Sequence, residues 1–496
     1  MTPYQNLHGR FARIGALREA LGILHWDAAT HMPDGGATSR AEQLATLKVI
    51  VHEGMTDPAL PDLLAGAEGQ NDLDEWQRTN IAEMRRGIAH ATAVPADLVA
   101  AFSKACSECE MVWRKARPAS DFAAVLPALD KVLSLTREVA AAKAAALGKS
   151  PYDALLDQYE PDGSTATIDR LFGELIAVLP GMIDDALARQ SSRPAPLQPD
   201  GPFAIETQRR LGLDLMKRLG FDFEHGRLDV SAHPFTGGTP GDVRITTRYD
   251  DNDFRQGLMG VLHETGHALY ELGLPAQWSR QPVGDARGMS LHESQSLLIE
   301  MQVCRGREFM AFAAPLIRVA FNGAGPTWDA GNLYRLGTRV ARSFIRVDAD
   351  ELTYPAHVML RYRLERALIA GDMRLADLPA EWNKGMRDLI GVEPPDDARG
   401  CLQDIHWYDG AWGYFPTYTL GAMNAAQLFQ AAKAADSSIL PGIATGDFAP
   451  LLAWLRKNVH ATASSRSTDQ IMTEATGRPI ETAPYLTHLR ARYLGE

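Results

Sequence analysis

The stretch Gly257-Leu-Met-Gly-Val-Leu-His263-Glu264-Thr265-Gly266-His267-Ala-Leu-Tyr-Glu271 decides how this chain is read. Its apolar residues recur at helical intervals. His263 and His267 are four apart, so a helix puts them on one face, one turn apart. Two imidazoles so placed can reach one metal ion, and Glu264 stands one step round the helix, within reach of a water on that ion. Just upstream, Val243-Arg-Ile-Thr-Thr-Arg-Tyr249 alternates, with Val243, Ile245, Thr247 and Tyr249 on one face. That is the pattern of a short strand, and it could line a groove and pair with an extended peptide.

Outward from this point nearly everything else reads as helix. Tyr4 to Trp26 carries Leu7, Phe11, Ile14, Leu17, Leu21 and Leu24 at helical spacing. Similar patterns cover Ser39 to His52, Asp72 to Thr92, Pro95 to Lys115, Asp121 to Leu147, Asp169 to Gln190 and Ile205 to Leu219. After the motif they resume over Ser290 to Phe312 and Pro355 to Ala370, the latter with Gly371 just past its end. Ser191 to Pro202 reads as a long surface connection. The expected fold class is mainly α, with a small sheet beside the metal site.

A catalytic zinc needs a third protein ligand and one open position. A third histidine six residues past His267 is excluded, because position 273 is Gly273. Glu293, in His292-Glu293-Ser294-Gln295, opens the next apolar helical pattern and is the candidate. His292 is its rival, since neighbours on a helix point about 100° apart and only one can face the metal. Glu300, about two turns on, reads as a partner of a ligand or as solvated, and Glu271 likewise.

The chain resembles the carboxypeptidase Taq family of zinc metallocarboxypeptidases. The resemblance rests on ordered signatures: His233-Pro-Phe235, Asp242-Val-Arg244-Ile-Thr246, His263-Glu-Thr-Gly-His267, His292-Glu-Ser-Gln295, Ile345-Arg346-Val-Asp-Ala-Asp350 and Gly400-Cys-Leu-Gln403-Asp404-Ile-His406-Trp407. Leu24-His-Trp26-Asp27 also looks familial. The resemblance implies a neurolysin-like helical fold with a deep central groove, a zinc ion (cobalt could substitute) on His263, His267 and Glu293, Glu264 as general base, and a homodimer. It further implies that His406, with Tyr418 or Tyr414, stabilises the oxyanion. Release of a C-terminal residue requires recognition of a free carboxylate, which a guanidinium grips bidentately. Arg346 and Arg244 are the candidates, Arg346 favoured; the plainer role for Arg346 is an ion pair with Asp348 or Asp350.

The expected activity is removal of single C-terminal residues, with broad specificity, from peptides with a free C-terminus. An endo-oligopeptidase on the same scaffold is the alternative. The signatures of one site run from His233 to Tyr418, so residues 1–496 are expected to form one domain of two lobes around a groove. A net charge of −12 argues against nucleic acid or anionic membrane as partners. No secretory leader or bilayer-length apolar run is apparent, and four cysteines are too few for a disulfide framework, so a cytoplasmic location is expected. Cys106-Ser-Glu-Cys109 lacks a second pair and is set aside as a metal site, with Cys304 and Cys401 as buried thiols. Gly421-Ala-Met-Asn424 lacks the glutamate of an aminopeptidase motif and is discounted.

Overall fold

The computed structural model describes residues 1–495. Helices dominate, and three short strands form the sheet: β1 (Gly226–Val230), β2 (Thr236–Thr239) and β3 (Asp242–Thr247). β3 lies in the middle, parallel to β1 and antiparallel to β2. Both edges of β3 are therefore occupied, so it cannot pair with a peptide as the alternating pattern suggested. β2 is the edge strand beside the motif helix. The β2–β3 turn is tight enough that Gly238, at φ +88°, has no room for a Cβ, which would sit 2.1 Å from the Asp242 carbonyl oxygen.

The N-terminal helix Pro3–Thr30 starts on a capping box between Thr2 and Gln5 and buries Leu7, Phe11 and Ile14. Its far end docks on the sheet. Gly22 passes the Gly238 carbonyl so closely that an added Cβ would lie 2.9 Å from its oxygen. The Trp26 ring lies under two guanidinium groups, 4.3 Å from Arg244 and 5.2 Å from Arg227.

Two long patterns are broken more finely than the periodicity indicated. Asp169 to Gln190 falls in two helices, Thr165–Ile176 and Leu179–Ser191. Pro180 lies in the first turn of the second, where its missing N–H costs nothing. Ser290 to Phe312 divides into a helix Met289–Leu297, a π-helical turn Leu298–Cys304 and a helix Arg307–Ala320 that restarts after Gly306.

The motif helix Phe254–Glu271 packs on β3 and on the helix Met289–Leu297, here the return helix. The return helix lies between the motif helix and the long helix Pro416–Ala435. Its N-terminus is fixed from outside: Met289 N donates to the Tyr159 carbonyl at 2.7 Å and Ser290 N to the buried Glu160 carboxylate at 2.8 Å. Near the C-terminus, Arg492 Nη1 and Tyr493 OH donate to Glu351 Oε2 (2.8 and 3.1 Å) and His488 pairs with Oε1 at 2.8 Å. Burial pushes the Glu351 carboxyl upward, but Arg492 and His488 outweigh it and hold it down at about 2. The C-terminal helix thus pins the chain just beyond Arg346.

Candidate metal centre and active site

His263 and His267 project from one face of the motif helix, and Glu293 meets them from the return helix. Glu293 Oε2 lies 3.3 Å from His267 Nε2 and 3.9 Å from His263 Nε2, and ligand atoms of the three all lie within 4.8 Å of one another. The other nitrogens face outward and are bonded. His263 Nδ1 meets Glu300 Oε2 at 3.0 Å, and His267 Nδ1 meets the His292 carbonyl at 3.1 Å. Protons on Nδ1 leave both Nε2 lone pairs aimed at one point. Burial pushes the His263 imidazole down, yet Glu300, Glu293 and Glu264 raise it to about 10. Burial instead lowers His267, so the two imidazoles are held differently, and the two nitrogens and one carboxylate form a donor set that suits a divalent ion.

Close packing makes this convergence possible. At Gly266 an added Cβ would sit 2.4 Å from the Gln295 carbonyl oxygen and 2.6 Å from Ser296 Cα, so the glycine of the motif seats the return helix. At Gly421 a Cβ would lie 2.8 Å from both Cβ and Cγ of Glu293, so this glycine gives Glu293 its path. The discounted Gly421-Ala-Met-Asn424 run therefore has a packing task. His292, the rival ligand, turns aside: its Nε2 pairs with Glu271 at 2.8 Å and its ring stacks on His267, centroids 4.6 Å apart. Glu300 is tied to His263 as one of its two readings held, and its other oxygen takes Arg305 Nη2 at 2.7 Å. Gln295 meets the buried His460 at 3.1 Å.

Glu264 is buried beside the ligands, and its Oε2 accepts from Thr236 Oγ1 on β2 at 2.6 Å. Nothing in the sequence singled out Thr236, although it directly follows the His233-Pro-Phe235 signature. That signature is held by another: Thr246 Oγ1 accepts from Phe235 N at 3.0 Å and from Ser231 Oγ at 2.7 Å.

The other candidates form an aromatic wall. His406 Nε2 lies 3.2 Å from Tyr418 OH, and the Tyr414 ring packs on both. Burial, with Arg346 and Arg361 and against Asp404, lowers His406 to about 4, so it is neutral at physiological pH. Burial also raises the Tyr414 and Tyr418 hydroxyls, which keep their protons. The loop below is anchored by the buried Glu365, which accepts from Trp407 Nε1 (2.8 Å), Gly413 N (3.3 Å) and Tyr152 OH (2.7 Å). Cys106 is packing beneath it, since a Cβ on Gly410 would lie 2.7 Å from its sulfur.

Arg346 is buried behind Tyr418 and pairs with neither Asp348 nor Asp350. Its Nε and Nη2 donate to Asp404 Oδ1 (3.0 and 2.8 Å), its Nη1 to Tyr354 OH (2.7 Å) and its backbone N to Gln403 (2.8 Å). Asp404 Oδ2 also takes Arg361 Nε at 2.6 Å, so one carboxylate faces two guanidinium groups and a net positive charge remains. Arg244 pairs with Asp242 (Nη2 to Oδ2, 2.6 Å) on the Trp26 side of the sheet, where it fastens the N-terminal helix.

Comparison with known proteins gives one answer. The family model described as carboxypeptidase Taq (M32) metallopeptidase matches residues 6–493. Thermostable carboxypeptidase 1 of Thermus thermophilus is 40% identical over 509 residues, 99% of each chain. Carboxypeptidase 1 of Bacillus subtilis is 33% identical over 483 residues, covering 97% of this chain and 96% of its own. Among solved structures, Trypanosoma cruzi metallocarboxypeptidase 1 superposes with a TM-score of 0.97 at 39% identity over 99% of both chains. An M32 carboxypeptidase from Deinococcus radiodurans gives 0.94 at 34% identity, covering 99% of this chain and 98% of that one. With its ligand cluster, fold and full-length kinship in agreement, the chain belongs to the carboxypeptidase Taq (M32) family of metallopeptidases.

Proposed function

We propose that this metallocarboxypeptidase uses zinc, held by His263, His267 and Glu293, to release C-terminal residues one at a time with broad side-chain tolerance. The carrying observation is the convergence of three donor atoms beside a buried Glu264. Zinc would take this donor set of two imidazole nitrogens and one carboxylate, in which Glu293 Oε2 lies 3.3 Å from His267 Nε2 and 3.9 Å from His263 Nε2. When bound, the metal polarises the scissile carbonyl and acidifies water. Glu264 takes a proton from the attacking water and gives it to the leaving amine. With His406 Nε2 donating to the Tyr418 oxygen, the Tyr418 hydroxyl would be left as the donor to the oxyanion, so His406 and Tyr418 act together, with Tyr414 supporting Tyr418. Arg346 is the group for the substrate carboxylate, since Asp404 leaves the Arg346–Arg361 pair with an uncompensated positive charge. Arg244 has the weaker claim because its one carboxylate partner, Asp242, balances its charge, while Asp404 is shared between two guanidinium groups.

The test is a pair of peptides, one with a free C-terminus and its amidated twin, followed by mass. Stepwise loss from the free peptide alone is expected, abolished by chelation. Internal cleavage of both would favour the endo-oligopeptidase. A homodimer in the cytoplasm completes the proposal. The dimer rests on kinship, and the location on the four free buried cysteines and the −12 charge. No helix among the described residues is long and apolar enough to cross a membrane. Light scattering on the purified chain tests the dimer.

A further inference from the structure

Thr236 begins β2, where Ile245 of β3 is its register partner. Its backbone is engaged in the sheet, while its side chain leaves the sheet for the motif helix. Thr236 Oγ1 lies 2.6 Å from Glu264 Oε2 and 3.2 Å from the carbonyl oxygen of the same residue. Both neighbours accept, and a threonine hydroxyl has one proton to give. The carboxylate is nearer and charged, so it takes the stronger bond.

This bond makes the two carboxylate oxygens unequal. Oε2 is committed to Thr236, and Oε1 is left as the basic oxygen. We infer that Thr236 is a positioning residue: it fixes the Glu264 carboxylate and makes Oε1 the single carrier of the catalytic proton. The inference rests on the reading of Glu264 as the base. In that reaction a water O–H bond breaks and its proton passes to Oε1. The oxygen keeps the electron pair and bonds to the carbonyl carbon. The C–N bond then breaks, and the nitrogen takes the proton back from Oε1. A proton that settled on Oε2 instead would face β2 and be lost to the leaving amine. With Thr236 donating to Oε2, that site is closed while Glu264 is ionised.

The placement of Thr236 is itself over-determined. Two glycines follow it, and the second is locked by φ +88° and by the N-terminal helix at Gly22. A hydroxyl held on so fixed a strand can orient a carboxylate with little loss of freedom on reaction.

The alternative is that the hydroxyl merely stitches β2 to the helix. The zinc-loaded enzyme distinguishes these through Thr236→Val, which keeps shape without the hydroxyl, Thr236→Ala, and Thr236→Ser, which keeps the hydroxyl without the methyl. We expect Val and Ala to lose kcat by about ten-fold or more, with KM, metal per chain and Tm near wild type, and Ser to stay within about three-fold. Should Val not fold, Ala against Ser decides. Wild-type kcat in the hydroxyl-free variant, a Ser variant as slow as Ala, or a loss explained wholly by falling metal content or Tm would each overturn the inference. Glu264→Gln is measured alongside. If it stays fully active, the reading of the base fails; if it is inactive while Thr236→Val is not, only the inference fails.

Discussion

In the metal half of the site, the outward nitrogen of each motif histidine has a partner, Glu300 for His263 and the His292 carbonyl for His267. In the aromatic wall, His406 Nδ1 and Trp412 Nε1 are buried with none, and two guanidinium groups share one carboxylate. A buried unpaired polar group costs about 1–3 kcal/mol; the wall carries one on His406 itself, whereas the metal half carries them behind its ligands, at His292 Nδ1 and His460 Nδ1. The metal half is finished by the protein itself, through rigid helix-to-helix contacts. The wall is left with unspent hydrogen-bonding capacity and charge, as suits the substrate-facing role proposed for it.

Gly266→Ala strikes the metal half hardest. Its Cβ would overlap the Gln295 carbonyl and Ser296 Cα, displacing the return helix and Glu293 with it. Elemental analysis should find metal missing and turnover essentially gone, at a fold cost of about 1–3 kcal/mol. A loaded, active variant would break the contrast. In the wall, Tyr418→Phe should keep its metal and lose about 10²- to 10³-fold in kcat, with a smaller loss for Tyr414→Phe, whose hydroxyl makes no hydrogen bond to His406. Equal losses in the two would mean that the wall acts only by packing. Glu300→Gln weakens the partner of His263 without touching the centre, and competition with a chelator should show about 10- to 100-fold weaker metal binding.

The last effect is one of pH. Burial, aided by Arg456, holds His460 behind the return helix at about 3, far below its ordinary value. The unfolded chain binds this proton below about pH 6.5 and the native chain does not, so stability falls as pH drops from 6.5 toward 3. At pH 5 the loss from this one group is about 2 kcal/mol relative to pH 8. The Tm of His460→Gln should vary less with pH over that range than that of the wild type. An identical slope would remove His460 as its source.

What was legible in the sequence was local. His263, Glu264 and His267 are decided by helical phase, and Glu293 by a second helical pattern with room for a return. What was illegible depends on contacts between distant elements. Thr236 sits in Thr-Gly-Gly-Thr, a segment of low strand propensity, and its partner is 28 residues on. Asp404 lies 58 residues from Arg346, whereas Asp348 and Asp350 looked nearer only along the chain. The seats at Gly266 and Gly421 are marked by an absent side chain, and a glycine inside a helix pattern reads as a mere weakness.

The clamp on Glu351 bears on how the molecule is made. Arg492 follows Glu351 by 141 residues, so a ribosome adding about 5–20 residues per second delivers it roughly 7–30 s later. Until then Glu351 would be a buried carboxylate without its cations, which costs about 3–5 kcal/mol. The segment that presents Arg346 is thus held back from its final packing until the end of the chain arrives. The motif histidines leave the ribosome well before this clamp can close, so the two halves of the site are completed at different times.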